Sequence, residues 1–226
     1  MTGPLSPESL TAAVEAAPPE AQAIFGTRLP QAMGYVDLLA SAGVERGLIG
    51  PRERPRLWSR HLLNSAAIAP ALPPTSGLRV VDLGSGAGLP GIPLALARPD
   101  LKMTLLEPLA RRTSFLDEVV QSLAIEAEVL RGRAEEIHEP RWDVVVARAV
   151  APLERLLALA ARLVQAGGML VAIKGQAASA EVAEAAGVIA RSSTQPAEVL
   201  TYGDEVVGAT VVRVVLDRPR TRGKAR

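Results

Sequence analysis

From Gly77 onward, short apolar runs alternate with longer segments of mixed character. The runs lie at 78–83, 102–107, 126–130, 142–147 and 168–173. The intervening stretches at 89–98, 109–123 and 152–165 carry helical spacing of apolar residues. Short, nearly continuous apolar strands separated by helices of roughly 10–15 residues specify a parallel sheet covered on both faces. After Lys174 a helix is expected near 177–187, then strands at 196–202 and 206–216. The Gly203-Asp204 junction between those strands reads as a hairpin, so the last strand should run antiparallel. The expectation is an α/β fold with a mostly parallel seven-stranded sheet. Upstream, residues 6–46 read as helical, starting from Ser6-Pro7-Glu8 as a cap, a first-turn proline and an early acid. Pro18-Pro19 interrupts that run, and Leu29, Met33, Val36, Leu39 and Ala40 recur at three- and four-residue steps as one helix face. The chain thus divides into a helical cap (1–76), a sheet domain (77–217) and a C-terminal tail (218–226).

Composition narrows the chemistry. There is no cysteine, which excludes disulfides and thiolate nucleophiles. His61 and His138 are the only histidines, which argues against zinc and leaves no expected metal site. Aromatics make up 3% of the chain, so the core must be aliphatic. No apolar run approaches the roughly 18–20 residues of a membrane span, and Met1-Thr2-Gly3-Pro4 lacks signal-peptide features, so a cytoplasmic protein is expected. Net charge is only +1, but it is unevenly distributed. Residues 52–61 hold four arginines against one acid, together with Trp58, and the tail holds five bases and no acid. The first can be a solvated helix face with Trp58 turned inward or a surface for phosphate and base. The tail can be a phosphate-following arm or a solubilising end.

The candidate cofactor turn is Val80-Val81-Asp82-Leu83-Gly84-Ser85-Gly86-Ala87-Gly88-Leu89. Gly84, Gly86 and Gly88 stand where the first strand passes to a helix, the usual ligand crevice of open parallel sheets. Gly86 to Gly91 also spells G-x-G-x-x-G, which admits a dinucleotide and hence a dehydrogenase. Asp82 would repel a pyrophosphate and suits the ammonium of a methionine moiety, directly or through water, and the glycines begin one step early for the dinucleotide pattern. Both points favour S-adenosyl-L-methionine. Glu107 ends the second strand, where an acid meets ribose hydroxyls in either cofactor family. Ala134 and Glu135 follow the third strand, a place that commonly receives adenine. Arg148 and Lys174 each close an apolar strand, and an unpaired buried charge is costly. Two cations at adjacent strand ends are therefore expected to face an anionic substrate, which favours nucleic acid. Covalent pyrimidine chemistry is closed without cysteine. The site after the fourth strand reads Ala147-Arg148-Ala149-Val150, without the Asn/Asp-Pro-Pro-aromatic run typical of exocyclic-amine methylation. A ring nitrogen with a free lone pair, such as guanine N7, needs neither device.

Together these blocks resemble the ribosomal RNA small subunit methyltransferase G family, also called glucose-inhibited division protein B. The resemblance rests on Arg60-His61-Leu62-Leu63-Asn64-Ser65, the Asp82 to Leu94 loop with Gly88-Leu89-Pro90-Gly91-Ile92-Pro93-Leu94, and Leu105-Leu106-Glu107. It continues through Arg133-Ala134-Glu135-Glu136, Arg148-Ala149 and Lys174-Gly175-Gln176. It implies a class I (Rossmann-like) fold and methyl transfer from S-adenosyl-L-methionine to guanine N7 in the decoding-region loop of 16S ribosomal RNA. It further implies that RNA or the small-subunit precursor as substrate; the protein is expected to be a monomer. Carried over by position, the cofactor meets Gly84, Leu89, Glu107, Ala134, Glu135 and Arg148. Lys174, Arg60, His61 and Gln176 engage the RNA, with Arg148, Lys174 and His61 nearest the chemistry. An RNA-binding or assembly protein holding the cofactor structurally is the alternative from another class.

Overall fold

The computed structural model describes residues 13–138, 141–203 and 207–217. The Ser6-Pro7 start, Asp204 and the basic tail lie outside them. Seven strands form one sheet: β1 (Arg79–Leu83), β2 (Lys102–Glu107), β3 (Ala127–Arg131), β4 (Trp142–Arg148), β5 (Val164–Ile173), β6 (Glu198–Tyr202) and β7 (Ala209–Leu216). Their order is β3-β2-β1-β4-β5-β7-β6. The first five are parallel, and β7 enters antiparallel between β5 and β6. Strands β2 and β3 are added on one side of β1 and β4 and β5 on the other, so the crevice above the C-terminal ends of β1 and β4 is the topological switch point.

The strand sequences explain the layers. Successive side chains of a strand face opposite sides. In β4, Val144 and Val146 pack on one side while Val145 and Ala147 pack on the other, and all four are buried. One side is covered by α1 (Pro19–Phe25), α2 (Leu29–Leu38), α3 (Gly91–Ala97) and α4 (Ala110–Ser122). The other is covered by α5 (Leu153–Leu163), α6 (Ala178–Glu184) and α7 (Ala186–Ser192). Helix α5 shows why: Leu153, Leu156, Leu157, Ala160 and Leu163 fall at three- and four-residue steps and are all buried.

The cap shares its core with the sheet. Tyr35, Leu39, Leu57, Leu62 and Leu63 belong to the same apolar cluster as Val80, Leu105 and Phe115. Trp58 is turned inward beside Phe25, with ring centroids 6.4 Å apart. The cap winds loosely in two places, as π-helix at Leu39–Gly43 and Leu57–Leu63. The second carries Arg60 and His61, and π-helical turns frequently mark functional sites.

Three expectations shift. Met33 is 49% exposed, because α2 is rotated so that Ala32, Tyr35, Val36 and Leu39 face the core. The helix expected at 177–187 is two helices, broken at the fully buried Ala185. Strand β5 begins at Val164 rather than 168, since Val164 pairs with Trp142 across an irregularity in the ladder.

Candidate cofactor and substrate site

Beyond Leu83 the chain turns through Gly84, Gly86 and Gly88 at φ of 68°, 63° and 104°, a region that favours residues without Cβ. Three side chains hold this loop from behind. Asp82 Oδ2 accepts from the Ser85 hydroxyl at 2.6 Å and the Gly91 amide at 2.9 Å. Glu107 accepts the Gly86 amide through Oε2 and the Leu109 amide through Oε1, both at 3.0 Å. The buried Tyr35 hydroxyl donates to the Ala87 carbonyl at 2.8 Å. The Leu89-Pro90-Gly91-Ile92-Pro93 segment also gains a physical meaning. A Cβ on Gly91 would lie 2.4 Å from Leu105 and 2.7 Å from Asp82 Oδ2, so only glycine lets α3 start against β1.

Asp82 therefore lies beneath the loop, fully buried, and not on a cavity wall as a direct ammonium ligand would. Its Oδ1 has no hydrogen-bond partner. Burial pushes its carboxyl up to about 7; the bonds from Ser85 and Gly91 lower it, Glu107 raises it and Arg148 lowers it.

In front of the loop three cavities adjoin. The first, about 600 Å³, is lined by Gly84, Gly86, Leu89, Glu107, His61 and Arg148 among others. The second, about 200 Å³, is a slot lined by Leu83, Leu106, Pro108, Leu159, Ala134 and Glu135 among others. The third, about 990 Å³, is bordered by Arg60, Asn64, Arg148, Lys174, Gln176 and Glu181. Val150 lines all three. It follows Ala149, a non-glycine residue at φ 53°, the kind of strained backbone that clusters at functional sites.

The two strand-end cations behave differently from the expectation of free charges facing an anion. Arg148 turns its terminal nitrogens to the cap. It donates to the Arg60 carbonyl at 3.1 Å, the His61 carbonyl at 3.4 Å, Ser65 Oγ at 3.1 Å and His61 Nδ1 at 3.1 Å. The other nitrogen of His61, Nε2, lies 2.8 Å from Glu53 Oε2. Lys174 is nearly buried; its ammonium pairs with Glu181 at 2.8 Å and donates to the Ala151 carbonyl at 2.7 Å. Glu181 also accepts the Leu153 amide at 2.9 Å, so this pair clamps the turn that carries Val150. Arg60 and Gln176 are exposed on the wall of the large cavity. Among the described residues no cluster of acids and histidines could hold a metal.

Sequence reasoning missed Tyr35, Glu53, Ser85 and Glu181. Each acts on a group distant in the chain or hidden in a local turn. The sole acid among four arginines was the available signal for Glu53.

The chain is matched over residues 28–207 by the family described as GidB, rRNA small subunit methyltransferase G. It belongs to that family. Its similarity to the ribosomal RNA small subunit methyltransferase G of Thermobifida fusca is 52% identity over 200 residues, covering 87% of this chain and 84% of that protein. The protein of the same description from Salinispora tropica is 50% identical over 228 residues, covering 95% and 93%. Among solved structures, a SAM-dependent O-methyltransferase from Thermotoga maritima superimposes with a TM-score of 0.52 at 16% identity, covering 70% of this chain and 66% of that one. That likeness carries the fold only: the α/β methyltransferase sheet with its antiparallel last strand. Arg60, His61, Leu89, Arg148-Ala149 and Lys174-Gly175-Gln176 line the cavities described above, whereas Gly91 to Leu94 are buried.

Proposed function

We propose that this protein transfers the methyl group of S-adenosyl-L-methionine to N7 of a guanine in 16S ribosomal RNA. The observation that carries the reading is the adjacency of the glycine-loop cavity to the large open crevice, with Arg148 and Val150 on both walls. Gly84, Gly86, Gly88 and Leu89 would receive the methionine and ribose portions, and Glu107 the ribose hydroxyls. Each Glu107 oxygen already accepts one amide, and Oε2 also lies 3.5 Å from the Arg112 guanidinium on the same cavity wall, so Oε1 is the oxygen that keeps a lone pair for a hydroxyl. The apolar slot at Ala134 and Glu135 would take adenine. The residues fit this cofactor, since a buried carboxylate behind the loop suits a ligand that carries cationic groups. The cofactor supplies an electrophilic methyl on a positive sulfur. Guanine N7 bears a lone pair and no proton, so the protein need not supply a general base. Its work is to orient the base and to exclude water. Val150 and the Ala149 turn separate cofactor from base, Arg148 fixes the cap that forms the far wall, and Arg60 and Gln176 meet the RNA. His61 bears on the reaction through Arg148 rather than as a proton carrier.

Lys174 contributes by holding the 149–153 turn through Ala151 while Glu181 balances its charge. The RNA-facing charge is left chiefly to Arg60 and its neighbours Arg52 and Arg56, all exposed. The substrate is small-subunit RNA or a precursor particle, acted on in the cytoplasm by a monomer. Among the described residues no helix is long and apolar enough to cross a membrane.

The test is a single-turnover assay with methyl-labelled cofactor and undermethylated small-subunit RNA. Label should enter RNA and produce one site of strand scission after borohydride and aniline, the signature of N7-methylguanine. Cofactor binding without transfer would reduce the protein to a binding role, and label at another atom would overturn the N7 assignment.

A further inference from the structure

The contacts of His61 are unusually constraining. Arginine has only hydrogen-bond donors, so the bond between Arg148 and His61 Nδ1 requires Nδ1 to be the bare, accepting nitrogen. The proton then sits on Nε2, facing Glu53 Oε2 at 2.8 Å. Glu53 comes from the turn Pro51–Arg56, His61 from the π-helical segment and Arg148 from the tip of β4, so three elements are tied in one chain of bonds. His61 is buried, and both His61 and Arg148 line the glycine-loop cavity. We propose that Glu53 is a positioning residue: by holding His61 as its Nε2–H tautomer it aims Arg148 across the cofactor pocket and locks the arginine-rich cap segment to the sheet.

The charges around the ring fit this arrangement. Glu53, Arg60 and Arg148 face it, and Arg56 pairs with Glu53 at 3.0 Å. Burial and Arg148 hold the imidazole below its ordinary titration range, against the opposing pull of Glu53. A neutral ring is what an arginine neighbour demands. Asp or Glu behind a histidine is a general way of choosing its tautomer and orientation. Here the oriented ring acts on an arginine instead of on a nucleophile. The same carboxylate also lies 3.7 Å from Arg60, so the groups that meet RNA and the groups that meet cofactor share one anchor.

The experiment uses the full chain and has a readout independent of methyl transfer. With only two histidines in the sequence, nitrogen-15 imidazole spectra resolve His61 from His138 after one assignment variant, His138→Gln. The wild type should show His61 as a neutral Nε2–H tautomer at pH 7. An Nδ1–H tautomer or a charged ring in the wild type overturns the proposal without any further variant. Glu53→Ala should free the ring to turn away from Arg148, which releases the tautomer preference, and weaken S-adenosylhomocysteine binding by roughly tenfold, the scale of one hydrogen bond to a charged group. RNA affinity should hold or rise, because Arg56 and Arg60 lose their carboxylate partner. Glu53→Gln keeps an accepting oxygen and should restore the tautomer and most of the cofactor affinity. Equal loss in both variants, or no loss in either, would remove Glu53 from the positioning role. The binding arms rest on the methyltransferase reading, whereas the spectra do not. A protein that shows the tautomer yet transfers no methyl would sink that reading alone.

Discussion

Replacing Asp82 with asparagine offers a quantitative test of the loop's electrostatics. The wild-type carboxyl is fully buried, with one oxygen committed to Ser85 and Gly91 and the other unpartnered. Burial raises it from 3.8 to about 7. A group whose folded pKa is raised binds its proton more tightly in the folded state. Its stabilisation is complete below the unfolded value and disappears as pH rises through the folded one. The full shift of about three units corresponds to about 4 kcal/mol, of which about 3 kcal/mol falls between pH 5 and pH 8. Asparagine does not titrate and keeps an oxygen for Ser85 and Gly91. Asp82→Asn should therefore gain on the wild type as pH rises, by about 3 kcal/mol between pH 5 and pH 8 in urea unfolding. For a chain of this size that is about 6–12 °C in melting temperature. His61 titrates in the opposite sense: its folded value is lowered, so stability falls as pH drops below 6.5, but it does so equally in both proteins and cancels. Cofactor affinity at pH 8 should move the other way, since the negative charge behind a cation-binding loop is gone. A stability difference that stays constant from pH 5 to pH 8 would refute the reasoning.

Three further substitutions probe the walls of the site. Gly84→Ala places a Cβ at φ 68° and 3.1 Å from Val150, so calorimetry should show cofactor affinity reduced by about tenfold, in line with the roughly 1–2 kcal/mol cost of that backbone region. Tyr35→Phe removes the hydroxyl that fixes the Ala87 carbonyl; thermal unfolding should register a loss of about 1–2 kcal/mol. Lys174→Met leaves Glu181 without its cation and should cost about 3 kcal/mol and slow methyl transfer, whereas adding Glu181→Gln should recover part of both, a non-additivity that a double-mutant cycle measures.

The layered sheet was legible because its strands are apolar on both faces and its helices keep their period. Residues 142–147 and 153–163 each announce their environment through neighbouring side chains alone. The start of β5 was not legible, since Val164 and Gln165 read as the end of the helix expected at 152–165, and the exposed Ala166 and Gly167 as its connection to a strand at 168. Their membership depends on pairing of Val164 with Trp142, a fact of register. Met33 and Tyr35 show a similar limit: both suit an apolar face, and only the partner at Ala87 decides which turns inward. At the site, residue types singled out Gly84, Glu107 and Arg148, which line one cavity, but did not reveal that Asp82 lies buried beneath the loop or which groups partner the charges. Arg148 and Lys174 were expected to face an anionic substrate, yet their partners are protein groups, from Arg60 to Ser65 and from Ala151 and Glu181. Such pairings rest on tertiary placement, which residue types alone do not encode.

The junction of three cavities at Val150 has a practical consequence for chemical biology. One aliphatic side chain forms the partition between the glycine-loop pocket, the apolar slot and the open crevice. It sits on a clamped turn, so trimming it should enlarge the pocket without dismantling the frame. Val150→Ala would then accept cofactor analogues with longer sulfonium-borne chains, such as clickable alkynes, that the native wall excludes. A cell carrying that allele could have this enzyme's RNA targets tagged while its other methyltransferases ignore the reagent.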